Sequence, residues 1–226
     1  MKVRFYFDYK SPFSFLAIRN CRSLENEFNI TVEWLPYAFN VNNGFGLPEH
    51  RTDYQKKKIK YIYQDVRRFA DKHKLWILGP QRVFDSTIAN ISALWVQKHS
   101  RKAFDDYTDK VYTLFFSRKL ELDNLTQIQE VIENIGVTTG VEYLAFLEKD
   151  GKQMYENIEN EANTKGVFGV PTWAFDDGTI LFGQDRVQFI EEKLVAAGLA
   201  KPMYFENKIA LLREQIKQLD DLKAKL

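Results

Sequence analysis

Phe5-Tyr6-Phe7-Asp8-Tyr9-Lys10-Ser11-Pro12-Phe13-Ser14-Phe15-Leu16-Ala17 is the stretch on which the architecture of this 226-residue chain turns. Val3 to Phe7 reads as a strand, and the run then meets helix-start chemistry. Ser11 suits an N-cap, and Pro12 suits the first helical turn because its missing N–H has no partner there anyway. Apolar residues recur at Phe13, Leu16, Ala17, Cys21 and Leu24, a helical spacing. Ile30 to Tyr37 follows as a second strand, with β-branched Ile30, Thr31 and Val32 ahead of Trp34 and Leu35. Strand, helix and strand make a βαβ unit, whose two strands are expected to be parallel.

Outward from that unit, Phe39 to Pro48 carries Asn42-Asn43-Gly44 and Gly46 and reads as loop. From about Asp53 to Ala162 the pattern reads as helical throughout. Ser86-Thr87 caps one helix, and Asp123 or Asn124 opens another that Gly136 closes. Strand signal returns at Gly169-Val170-Pro171-Thr172-Trp173-Ala174-Phe175. Asp177-Gly178 then predicts a two-residue hairpin turn into Thr179-Ile180-Leu181-Phe182. Gly183-Gln184-Asp185-Arg186 leads into a helix closed by Gly198. The order is β-α-β, helical insert, β-β-α, so the fold class is α/β: a thioredoxin-like fold with a large all-helical insertion. Residues 1–40 and 163–200 form the thioredoxin-like part, 41–162 the insertion, and 201–226 a C-terminal amphipathic helix. The Ile209, Leu212, Ile216 and Leu219 stripe of that helix packs either on its own chain or against a second copy, making a homodimer.

Composition removes several function classes. Lys and Arg number 32 against 31 Asp and Glu, which leaves no electrostatic footprint for nucleic acid or an acidic membrane. One cysteine excludes both a disulfide framework and a Cys-x-x-Cys pair. No run approaches the ~20 apolar residues of a membrane span. The early charges of Met1-Lys2-Val3-Arg4 do not resemble a signal peptide, so a reducing, cytoplasmic location is expected. His50, His73 and His99 are scattered without ligand spacing, so no metal is expected.

Thioredoxin topology puts chemistry at the N-terminus of the first helix, where unpaired N–H groups and the macrodipole stabilise an anion such as a thiolate. Here that position reads Ser11-Pro12-Phe13-Ser14, so the chain supplies no thiol of its own, and Cys21 lies too far along the helix to replace one. Ser11 is then an ordinary N-cap, or also a hydroxyl donor to the thiolate of a bound small thiol. A proline at 171 is odd in a strand. A cis bond there would leave the Val170 backbone free to pair with an extended, peptide-like thiol. The turn from Gly183 to Arg186, with Asp185, would meet the charged amino-acid end of such a ligand. Lys56-Lys57-Lys58-x-Lys60 reads as a solvated helix face, or as a source of a lysine for a ligand carboxylate.

The segments Phe5 to Ala17, Gly166-Val167-Phe168-Gly169-Val170-Pro171-Thr172 and Phe182-Gly183-Gln184-Asp185-Arg186 resemble the signatures of 2-hydroxychromene-2-carboxylate isomerases and kappa-class glutathione transferases. The resemblance spans about residues 2–198 and includes Tyr61, Asp65, Arg68 and Ala70 of the insert. It implies that Ser11 activates glutathione as the catalytic residue. It implies that Val170 and Pro171 bind the cysteinyl backbone, and that Gly183, Gln184, Asp185 and Arg186 take the γ-glutamyl end. Gln184 departs from the Asn or Ser usual there. The loop Asn42 to Pro48 corresponds to a segment that shapes the substrate pocket, with Asn43 toward a small-molecule aromatic substrate. The implied activity is glutathione-dependent cis–trans isomerisation. The alternatives are conjugation or peroxide reduction with glutathione, and a non-catalytic glutathione- or peptide-binding module.

Overall fold

The computed structural model describes residues 1–223. Its sheet has four strands: β1 (Lys2–Phe7), β2 (Thr31–Pro36), β3 (Thr172–Phe175) and β4 (Ile180–Phe182), in the order β2-β1-β3-β4. β1 is central. It pairs parallel with β2 from Lys2↔Thr31 to Phe7↔Pro36, and antiparallel with β3 from Val3↔Phe175 to Tyr6↔Thr172. Helix α1 (Pro12–Glu27) makes the crossover between β1 and β2, as the βαβ reading requires.

Between β2 and β3 run α2 (Val41–Phe45), a 3-10 turn at Pro48–His50, α3 (Asp53–Lys72), α4 (Thr87–Gln97), α5 (Arg101–Phe116), α6 (Leu125–Glu133), α7 (Val141–Glu148) and α8 (Asp150–Thr164). After β4 come α9 (Val187–Ala196) and α10 (Pro202–Lys223). Period-two alternation sorts the sheet's side chains into two faces. Val3, Phe5, Phe7, Val32, Trp34, Trp173 and Phe175 pack in one cluster with α1, α5 and α9. Tyr6, Leu35 and Ala174 pack in the other with Ile91, Leu94, Tyr155 and Ile158 of α4 and α8. The first cluster also takes Val66, Ala70, Ile128 and Val131, so side chains of the inserted helices share a core with the sheet.

Several local expectations change. Strand β3 begins at Thr172, not Gly169, because Pro171 has no N–H for a ladder and the Gly169 carbonyl accepts from Thr172 Oγ1 at 2.7 Å. The hairpin loop is Asp176-Asp177-Gly178 rather than two residues: Phe175 N–H donates to the Thr179 carbonyl, and Gly178 sits at φ +84°. That is the three-residue alternative, a turn followed by a left-handed glycine. The 39–48 segment is not all loop, since the Asn40 side chain accepts from Asn42 N–H and starts α2. Nor is 53–162 helical throughout. Residues 73–86, around Gly79-Pro80, are irregular and are tied down by Leu78 N–H to Phe116 C=O and by Arg118 to the Gly79 carbonyl. Ser86 precedes α4 without capping it; Asp85 Oδ1 accepts instead from Thr87 N–H at 2.9 Å and Thr87 Oγ1 at 2.6 Å.

The start of α10 docks on its own chain through Tyr204 against Phe28, Asn207 to Glu27 at 2.7 Å and Lys208 to Glu191 at 2.7 Å. Farther along, Ile209, Leu212, Ile216 and Leu219 are about half exposed. No helix among the described residues is long and apolar enough to cross a membrane.

Gly151 tests how tightly α7, α8 and α4 meet. A Cβ there would lie 2.6 Å from Phe146 Cε1, 2.7 Å from Ile91 Cγ2 and 2.7 Å from the Phe146 carbonyl oxygen. Gly→Ala in a helix gains about 1 kcal/mol of propensity, whereas overpacking costs about 1–3 kcal/mol. The backbone oxygen cannot rotate away, so overpacking wins. Gly151→Ala should therefore lower the urea midpoint at unchanged m value, and a raised midpoint would refute this packing account.

Candidate functional site

Ser11 sits where β1 hands over to α1. It is the N-cap, and its Oγ accepts from Ser14 N–H at 3.2 Å while its carbonyl accepts from Phe15 N–H at 3.1 Å. A hydroxyl has one proton and two lone pairs, so accepting the cap bond leaves the Ser11 O–H able to donate outward. The two readings of Ser11 are thus compatible. Pro12 has no N–H, and the Phe13 N–H takes no partner among the described residues. The helix terminus keeps one backbone donor open beside the hydroxyl.

Both face a cavity of about 740 Å³. Its walls come from the α1 terminus (Lys10 to Phe13), the 39–48 segment, α3 (Lys58, Ile59, Ile62, Tyr63), the irregular 80–84 segment, and Phe168, Gly169, Val170 and Phe182. Phe168 and Phe182, both exposed, pack ring to ring with centroids 4.7 Å apart. Sequence periodicity could not supply the 80–84 wall or this aromatic pair, because neither lies on a regular apolar stripe.

The Val170–Pro171 bond is cis. Among the described residues the Val170 N–H and C=O make no hydrogen bond, so the edge anticipated for an extended ligand is open. Pro171, buried, instead accepts from Gly183 N–H at 2.9 Å through its carbonyl. Gly183 is at φ +113°, and a Cβ there would meet Asp185 Oδ1 at 2.7 Å, so the turn requires glycine.

Ser11 and Val170 line one cavity; Gly183, Gln184, Asp185 and Arg186 do not. Gln184 is buried, and its carbonyl accepts from Asn20 Nδ2 of α1, which anchors the turn. Asp185 and Arg186 pair with each other at 3.4 Å on the surface. Phe182, the residue before this turn, is the part that reaches the cavity. The Asn43 side chain lies outside the described residues; its neighbours Val41, Gly44 and Phe45 line the wall.

The electrostatics are one-sided. Lys58, from the lysine run, stands over the Phe45 ring at 4.9 Å, and Arg51 donates to the Phe45 carbonyl at 3.3 Å. Neither has a carboxylate partner among the described residues, whereas Arg82 is held by Asp123 and Glu121. Burial pushes the Tyr63 phenol up to about 12, so it remains a protonated donor. Burial likewise raises the Cys21 thiol, which is fully enclosed and inert as a nucleophile. The described residues contain no cluster of His, Cys, Asp and Glu able to hold a metal.

In the floor of the cavity lies a polar group to which sequence reasoning gave no role. The Asp8 carboxylate, fully buried, meets Asn90 of α4, Phe39 N–H and Lys10, while Tyr155 of α8 accepts from Ala38 N–H. Its sequence signals were an acidic residue one step past an apolar strand and a place within the Phe5 to Ala17 segment.

Comparison with known proteins agrees with this architecture. The 2-hydroxychromene-2-carboxylate isomerase of Sphingobium xenophagum is 25% identical over 197 residues, covering 85% of this chain and 97% of that protein. The 2-hydroxychromene-2-carboxylate isomerase of Pseudomonas putida is 25% identical over 198 residues, covering 86% and 94%. A solved 2-hydroxychromene-2-carboxylate isomerase superposes with a TM-score of 0.70 at 23% identity, covering 87% of this chain and 96% of that one. The cytosolic disulfide reductase DsbM from Pseudomonas aeruginosa, solved with GSH, gives 0.56 at 12% identity, covering 96% and 100%. The named isomerases support an isomerase or DsbA-like activity at the level of the family. The model of the DSBA-like thioredoxin domain matches residues 2–195, from the first strand through α9, and the chain belongs to that family.

Proposed function

We propose that the chain is a glutathione-dependent isomerase of the 2-hydroxychromene-2-carboxylate type, acting on an unsaturated aromatic acid. The observation that carries the reading is a serine, rather than a cysteine, capping α1 inside an apolar cavity, with its hydroxyl proton and the Phe13 N–H both available to an anion. A family fold built for thiol chemistry, with no cysteine at its α1 terminus and Cys21 enclosed, fits a site whose sulfur comes from a ligand. The open Val170 edge suits the peptide backbone of such a ligand. That a protein of the same fold, DsbM, has been solved with GSH is consistent with this assignment.

When bound, glutathione supplies the sulfur nucleophile whose reversible addition turns a conjugated double bond into a rotatable single bond. The chain's own part is to hold and ionise. Ser11 O–H and Phe13 N–H donate to the sulfur, and the helix terminus favours its charge. Phe13, Phe39, Phe45 and Phe84 flank a flat ring and exclude water. Arg51 and Lys58, without carboxylate partners among the described residues, match a substrate carboxylate. The kappa-class alternative keeps the site and changes the reaction to conjugation.

Calorimetric titration with glutathione should show submillimolar binding, and no binding at millimolar concentration would refute the assignment. Asn caps a helix about as well as Ser but cannot offer the same hydroxyl. Ser11→Asn should therefore keep wild-type stability and lose glutathione-dependent turnover by about 10–100-fold, the value of a hydrogen bond to a charged group. Ser11→Ala should lose both that turnover and about 1 kcal/mol of stability. Turnover unaffected in Ser11→Asn would remove the serine from the chemistry. Conjugation of a chlorodinitroaromatic without isomerisation of a hydroxychromene carboxylate would favour the transferase reading. Lys58→Gln should raise KM for the carboxylate substrate about two- to fivefold at constant kcat, the worth of an exposed charge pair. An unchanged KM would place the carboxylate elsewhere.

A further inference from the structure

We propose that Asp8 is a positioning residue of the thiol site: its buried carboxylate clamps the first turn of α1 against the Ala38–Phe39 wall of the cavity, and its charge restrains ionisation of a thiol held at that turn. This rests on the reading of Ser11 and the α1 terminus as a thiol site. Asp8 directly follows β1, is fully buried, and lines the cavity three residues before Ser11.

Every polar atom of Asp8 is engaged, and the bonds divide between the start of α1, the Phe39 wall and the helices α4 and α5. Its Oδ1 accepts from Lys10 N–H at 3.3 Å and from Asn90 Nδ2 at 3.3 Å. Its Oδ2 accepts from Phe39 N–H at 3.2 Å and lies 3.4 Å from Lys10 Nζ. Its carbonyl accepts from Ser11 N–H at 3.0 Å and Tyr112 O–H at 3.0 Å, and its N–H donates to Ser14 Oγ at 3.4 Å. One residue thus fixes the N-cap, the first turn of α1 and the facing wall. Asn90 and Tyr155 complete the clamp: Asn90 Nδ2 reaches Tyr155 Oη at 3.3 Å, and Tyr155 accepts from Ala38 N–H at 2.9 Å.

Burying a carboxylate is costly unless donors surround it, and here they do. Packing alone does not require a charge at this place, and a negative charge beside a helix N-terminus opposes the anion which that terminus attracts. The titratable groups facing Asp8 are Lys10 from the same turn, Tyr112 from α5 and Tyr155 from α8. Burial raises both phenols well out of the working range, with the Asp8 charge adding to each. Among the described residues Lys10 is therefore the single countercharge in contact with it, while Arg51 and Lys58 line the same cavity without an ion pair to Asp8.

The test uses the full-length chain with reduced glutathione, its affinity read by calorimetry and its ionisation by thiolate absorbance across pH. Asp8→Asn keeps the size and removes the charge, and its amide N–H2 meets donors where an oxygen accepted, so affinity should weaken and the midpoint of thiolate formation should fall by about one pH unit. Tyr155→Phe keeps the charge and cuts the clamp, so affinity should weaken about threefold with the midpoint unmoved. Circular dichroism establishes that each variant is folded; should Tyr155→Phe fail to fold, Asn90→Ala takes over the clamp arm, and should Asp8→Asn fail, Lys10→Gln takes over the charge arm, with its midpoint expected to rise. Wild-type binding with no shift of midpoint in the charge variant, and no loss of affinity in the clamp variant, would overturn the inference. Failure of wild type to bind glutathione would instead overturn the thiol-site reading, and this inference with it.

Discussion

Strand β1 is hydrogen-bonded along both edges and packed on both faces, and the remaining architecture is arranged around that requirement. Its parallel partner must return by a crossover, which places α1 immediately after it. Its antiparallel partner arrives from the far end of the chain, so the long helical segment has to leave and come back between the two. The consequence is geometric. The C-terminal end of β1, the N-terminus of α1 and the cis-proline approach to β3 converge at one place.

Convergence of backbone ends there leaves donors and acceptors without ladder partners. Among the described residues the Phe13 N–H and both polar groups of Val170 have no hydrogen-bond partner, while Asp8 holds the Lys10, Ser11 and Phe39 N–H groups. Buried polar groups carry a cost unless satisfied, so such a place is either filled by side chains or kept for a ligand. Here the chain does both. The floor is closed by Asp8, Asn90 and Tyr155, and the mouth is left to the cavity.

The inserted helices determine what can enter. α3 and the irregular 80–84 segment provide apolar walls, α3 also carries Lys58 while Arg51 stands just before it, and side chains of both segments join the core of the sheet. A change in the packing of these helices is therefore felt at the mouth of the cavity, although none of them carries the serine.

Local chemistry made much of this legible without coordinates. The Ser-Pro helix start, the apolar spacing of α1 and the βαβ order follow from backbone rules acting within a few residues, and Ser11 falls where those rules put it, whereas Val170 and Pro171 stand before the strand they were expected to open. One cysteine in 226 residues likewise settled that the chain has no dithiol of its own. Tertiary structure alone decided the rest, because the deciding contacts join residues far apart in sequence. Asp8 finds Asn90 and Tyr155, Lys58 emerges from a run of lysines to overhang Phe45, and Gln184 turns inward to Asn20 while Asp185 and Arg186 stay outside. Periodicity assigns a residue to a face; only packing determines what that face meets.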